Sequence, residues 1–164
     1  MRAKNRGRTS TKKLFMQLNL EINNKSKSPI SKTFFNVIWK TAFLDKALAF
    51  SSSKIFNLSL ALVSRREIKK LNRIWRKKNE VTDVLSFAEF KSLQAIKASK
   101  EQEIFLGEII LCYDDIKAYA RKNDLKIKAE LAKVFLHGIL HLISFHHGKE
   151  MLALQSKLLT KLKK

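Results

Sequence analysis

One cysteine, one proline and four glycines in 164 residues leave this chain few devices other than packing to hold it together. The lone Cys112 excludes an intramolecular disulfide. Its setting, after Ile109, Ile110 and Leu111, is that of a small buried apolar residue, with nothing beside it to activate a thiolate. Pro29 and the scattered glycines give no linker at which to cut the chain, and no internal repeat is present. At 45% hydrophobic content, one domain with a real core is expected, and the length is too short for two. Long apolar runs are missing too. Lys40, Asp45 and Lys46 interrupt the best candidate for a membrane span. A soluble, cytoplasmic protein with no membrane partner is expected.

Acid is scarce. Asp and Glu number 14 against 34 Lys and Arg, a net charge of +20. Such a field favours polyanions, and Lys and Arg on phosphates supply affinity that is blind to sequence and sensitive to salt. Membrane surfaces are also anionic, and a lysine-rich composition can arise without a ligand, so charge alone does not select RNA. Residues 1–13 carry Arg2, Lys4, Arg6, Arg8, Lys12 and Lys13 and no acid, which predicts a disordered basic arm able to lie on phosphates. The same composition fits an organelle transit peptide. The predicted folded unit is therefore 14–164.

Histidine is the scarce residue whose placement matters most. All four lie between His137 and His147. The apolar spacing of Leu131, Val134, Phe135, Ile139 and Leu142 is helical, so His137 and His141, at i and i+4, project from one face a turn apart. Ser144 and Gly148 bracket a turn that would let His147 fold back as a third nitrogen. Three protein ligands with the fourth position left to water is the arrangement of a catalytic zinc centre, with Zn–N near ~2.0 Å. An i,i+4 histidine pair by itself is more often packed or surface than metal-bound; the confinement of every histidine to one segment favours metal. The metalloprotease signature H-E-x-x-H would place its general base at position 138, where this chain has Gly138, so peptide hydrolysis by that route is disfavoured.

The rest reads as alternating strands and helices. Met16, Leu18, Leu20 and Ile22 alternate with polar residues as a half-buried strand. Pro29 and its serines turn into a helix over 31–50 with Phe34, Phe35, Ile38, Ala42 and Leu48 inward. Phe56, Leu58, Leu60 and Leu62 form a second strand. Ser64 and Glu67 fit a capping box opening a helix whose buried face is Ile68, Leu71 and Trp75. Residues 81–87 form a short strand, 88–102 a loop and 104–112 a central strand, in which Gly107 marks a close backbone approach or a bulge. Asp114 and Asp115 are candidate N-caps of a helix ending near Lys122. A last helix over 149–162 buries Met151, Leu152, Leu158 and Leu159.

The motif H-G-x-L-H-L, a turn and a final histidine resembles the signature of the YbeY family. Leu71 Asn72 Arg73 Ile74 Trp75 Arg76, then Thr82 Asp83 Val84 Leu85 Ser86 Phe87, then Gly107 Glu108 Ile109 Ile110 Leu111 resemble its other blocks in the same order, over about residues 55–160. The resemblance implies one α/β (α+β) domain, a mixed four-stranded sheet packed with about five helices and a zincin-like histidine helix. It implies a zinc-dependent, single-strand-specific endoribonuclease acting as a maturation factor for small-subunit (16S) rRNA. One Zn²⁺ would sit on His137, His141 and His147, and Arg76 would be the catalytic or RNA-contacting cation, with Lys77 and Lys78 beside it. Its implied partners are RNA, the ribosomal particle, and ribosomal proteins or an assembly GTPase. Thr82, Asp83 and Ser86 would lie near the cleft, and Glu108 would be either a support for the site or solvent-facing.

Alternatives stay open. Arg76 at a helix C-terminus can simply complement the helix dipole. The zinc can be structural in a non-catalytic ribosome-assembly factor, or the substrate can differ. The chain also departs from the family where Gly-Tyr-Asp-His is usual and it reads Ser144 Phe145 His146 His147. Ser144 would be strained in a left-handed backbone that glycine takes freely, and His146 replaces a carboxylate that could orient a ligand.

Overall fold

The computed structural model describes residues 16–51 and 53–163; the basic arm at 1–13 lies outside them. Among the described residues, one domain is built from four strands and six helices. In chain order they are β1 (Gln17–Asn24), α1 (Lys32–Phe43), β2 (Ile55–Leu62), α2 (Arg65–Arg76), β3 (Val84–Ala88), α3 (Leu93–Ala98), β4 (Glu103–Leu111), α4 (Tyr113–Lys122), α5 (Ile127–Leu142) and α6 (Lys149–Leu162). The sheet is mixed, in order β1-β2-β4-β3, with β1, β2 and β4 parallel and the edge strand β3 antiparallel to β4.

Alternation along the strands sorts side chains onto two faces. Phe56, Leu58, Leu60, Ile109 and Leu111 join the main core with α1, α5 and α6. Ala61, Leu85 and Ile110 face a smaller core under Ile68 of α2. Helix α5 is apolar almost all round, with Leu131, Phe135, Leu136, Ile139 and Leu140 fully buried. A helix with that pattern belongs inside, so the histidines it carries are fixed by the core.

Gly107 is both of the things expected. It takes a positive φ of 132°, and a Cβ there would run into the carbonyl of Phe87. The β2–β4 register also shifts between Asn57 and Leu58, so Leu106 is passed over as a bulge.

Five expectations need correction. The helix expected to reach residue 50 stops at Phe43, because Asp45 leaves the helical path and turns inward to bind Lys157 and Lys161. The expected loop at 88–102 contains α3, a short helix capped by Ser92 and pinned by Ile96, too brief to show a period. The N-cap of α4 is Cys112, which places Asp114 and Asp115 in the first turn, where they favour the helix dipole without capping. Trp75 is 64% exposed instead of buried, because it lies against Phe87 of the edge strand β3 and not in the core. Leu152 is likewise 64% exposed, and Leu154 and Gln155 take the inward positions of α6.

Candidate metal centre and basic ridge

Helix α5 presents His137 and His141 at its C-terminal end, and the turn that follows brings back His147. The turn is closed by two backbone bonds, Ser144 N–H to the His141 carbonyl and Phe145 N–H to the Leu140 carbonyl, each 2.9 Å. That pair is a Schellman motif, which needs a left-handed residue at the position of Ser144. Ser144 has φ of 68°, the strained backbone that glycine would take freely. Its hydroxyl donates to the Phe90 carbonyl at 3.2 Å, which offsets part of that strain and ties the turn to the segment after β3.

The ligand atoms of His137, His141 and His147 all lie within 4.8 Å of one another. The two helix-borne rings are half-buried and His147 is exposed. His146 is not in the group, which is the only such cluster of three or more among the described residues.

Hydrogen bonds set the tautomers. His141 Nδ1–H donates to the Phe145 carbonyl at 3.0 Å, leaving Nε2 with a lone pair. Gln155 Nε2 donates to the Lys133 carbonyl at 3.1 Å, so its Oε1 is turned to accept from His137 Nδ1–H at 3.2 Å. The Nε2 atoms of the two histidines then face each other at 3.0 Å with no proton assigned between them. Two opposed lone pairs at that distance repel unless a cation lies between. Nitrogens on a tetrahedral zinc are about 3.3 Å apart, given Zn–N bonds of ~2.0 Å. The donor set fits: three imidazoles, two of them oriented by their other ring nitrogen, can hold a metal ion. Burial, then the neighbouring His137 and His147, lower the pKa of His141, so a proton competes weakly for its lone pair.

Gln155, the residue orienting His137, was not singled out from the sequence. A glutamine amid Leu154 and Leu158 carries no signal until α6 is docked.

Gly138 shows why this helix lacks the protease glutamate. A Cβ there would lie 3.1 Å from Ile109 and 3.2 Å from Ser86 Oγ. The position faces the sheet with no room for a carboxylate side chain. Ser86 therefore lies under the histidine helix, and Asp83 lines a 240 Å³ cavity with His137, Glu130, Lys133 and Gln155. Thr82 lines a separate 420 Å³ cavity with Asp83 and Asp115. Glu108 is in register with Phe87 and Ser59, on the sheet face opposite that of Ile109. It stands apart from the histidines.

Arg76 is the last residue of α2, exposed, and its charge is among those that lower the pKa of His141. Lys77 stops the helix in a left-handed conformation, φ 60°, and its ammonium donates to the Ile74 carbonyl; Lys78 is exposed beside it. Beneath them Asn72 is buried and its amide donates to the Glu80 carbonyl at 3.0 Å, pinning the chain that follows Arg76. The helix itself carries Arg65, Arg66, Lys69, Lys70, Arg73 and Arg76 against the single acid Glu67, and all six cations are exposed. Such a ridge is an electrostatic footprint for polyanions.

The family model described as endoribonuclease YbeY matches residues 21–163. This chain belongs to the endoribonuclease YbeY family. It is similar to the endoribonuclease YbeY of Pelagibacter ubique (strain HTCC1062), with 39% identity over 119 residues, 73% of this chain and 72% of that protein. The endoribonuclease YbeY of Phytoplasma australiense is 37% identical over 120 residues, 69% of this chain and 80% of that protein. The fold is similar to the solution structure of TM1509 from Thermotoga maritima, with a TM-score of 0.54 at 25% identity over 90% of this chain and 89% of that one. No helix among the described residues of this YbeY-family chain is long and apolar enough to cross a membrane.

Proposed function

We propose that this chain is a zinc-dependent endoribonuclease that cuts single-stranded RNA and matures small-subunit rRNA in the cytoplasm. The observation that carries the reading is the convergence of three imidazoles, two of them with opposed lone pairs. Membership of a family whose relatives are named endoribonucleases supports RNA as the substrate, and the charge of +20 agrees with a polyanion.

In this reading His137, His141 and His147 hold one Zn²⁺. Zinc in such a site supplies Lewis acidity, polarising a phosphoryl oxygen and lowering the pKa of water. Arg76 binds the scissile phosphate and offsets the charge that accumulates on it in the transition state; a guanidinium does this with two parallel N–H donors. Lys77 and Lys78 hold neighbouring phosphates, and the catalytic unit is 14–164, with the arm at 1–13 adding further phosphate contacts. Family resemblance extends the partners to the ribosomal particle, ribosomal proteins and an assembly GTPase.

The test is cleavage of one RNA sequence, single-stranded or annealed, by the parent and by His141→Ala and Arg76→Ala purified identically. Expected is cutting of the single strand by the parent and a loss of about 10²–10³-fold in each variant. Equal activity in folded His141→Ala overturns the mechanism, and a parent that cuts no RNA leaves a ribosome-assembly factor whose histidines serve structure.

A further inference from the structure

Trp75 is the most exposed of the large aromatics among the described residues, ahead of Tyr119 and Phe105. Its indole is 64% exposed at the last turn of α2, beside Ile74, itself 43% exposed. Single exposed apolar residues are ordinary, but this one is held. The Phe87 ring of β3 meets it in a T-shaped pair at 5.6 Å and 67°, which restrains the indole while most of its surface stays open to solvent. Its helix end is cationic, with Arg73 and Arg76 exposed on the last turn and Lys77 and Lys78 exposed just past it. The next residue along is Arg76, the last of α2 and the cation assigned above to the scissile phosphate.

We propose that Trp75 is a stacking platform for an unpaired base next to the scissile phosphate, and that it gives this site its preference for single strands. The inference rests on the RNA-cleaving function proposed above and assigns a specificity residue to it. An aromatic face among cations is how single-stranded nucleic acid is bound without sequence preference: cations track the phosphates and the ring stacks a base. A base inside a duplex has both faces covered by its neighbours and cannot use the platform. A protein partner would also cover exposed Trp75 and Ile74, but the cores of protein interfaces are depleted of charge, and α2 exposes six cations against just these two large apolar side chains.

The experiment uses the full chain with zinc and a short 2′-O-methyl oligouridylate, alone or annealed to its complement. Trp39, the second tryptophan, is fully buried, so acrylamide quenching reports on Trp75. The single strand is expected to shield Trp75 from acrylamide. Trp75→Ala and Trp75→Leu are expected to weaken single-strand binding about tenfold and Trp75→Phe by less than about threefold, with duplex binding unchanged. Equal single-strand affinity in folded Trp75→Ala overturns the platform, as does an equal loss of duplex and single strand. Unchanged oligonucleotide affinity with lost co-sedimentation on ribosomal particles would reassign the face to a protein and also overturn it. A parent that binds no single strand at all takes down the RNA reading and the platform together; normal parent binding with an indifferent Trp75→Ala takes down the platform alone.

Discussion

The Nε2 atoms of His137 and His141 face each other across 3.0 Å while their Nδ1 atoms are bonded to Gln155 and to the Phe145 carbonyl. The protein has thus arranged two lone pairs for a third party, and the arrangement is held from behind by one side chain and one backbone group.

Gln155→Leu removes the acceptor that orients His137. Affinity for zinc is expected to fall about 10–100-fold with the fold intact. Competition against a chelating dye measures it; unchanged affinity would show that Gln155 does not set the ring.

Arg76→Lys keeps the charge and loses the paired donors. It is expected to retain zinc binding in full and to recover only part of the roughly 10²–10³-fold cleavage lost in Arg76→Ala. Full activity in Arg76→Ala would return this residue to its role as a cation at a helix end.

Ser144 carries left-handed strain and a compensating bond to Phe90. Ser144→Ala keeps the strain and drops the bond, so a loss of about 1 kcal/mol is expected. Ser144→Gly drops both and should lie within about 0.5 kcal/mol of the parent. Urea unfolding of the two variants reads the difference, and equal stabilities would contradict this division.

Asp45 is buried, and its carboxyl is held well below the usual carboxylate range by the ammonium of Lys161, with Ala47 N–H and Lys157 adding to it against the opposing effect of burial. Because the folded pKa is depressed, this contribution is complete above the unfolded value of about 4 and is lost as pH falls below it. Asp45→Asn is expected to cost about 2–3 kcal/mol at neutral pH and to flatten the decline in stability below pH ~4. A pH series of thermal melts on both proteins checks the sign.

Much of this was legible because the signals are local. Strand alternation, the Ser64 N-cap, the bulge at Gly107 and the i,i+4 histidines all follow from backbone periods and conformations that neighbours in sequence specify. The other half of the expected capping box is absent among the described residues, where Glu67 pairs with Lys25. The strain expected at Ser144 appears as its positive φ. What was not legible depends on partners far along the chain. Trp75 sits seven residues after Ile68, so its period says buried, but it reaches the edge strand β3, where it meets Phe87 with most of its surface left open. Asp45 reads as a surface charge until α6 delivers Lys157 and Lys161. Gln155 and Leu152 exchange roles once α6 is rotated onto α5, and α3 is too short to announce itself.

The most direct measurement is the metal content of the purified chain, with His137→Ala and His141→Ala prepared in parallel and circular dichroism to show that each is folded. Expected is one zinc per parent chain and almost none in either variant. A folded parent that takes up no metal when zinc is supplied, or variants that keep it, would contradict the three-histidine centre on which the proposed function stands.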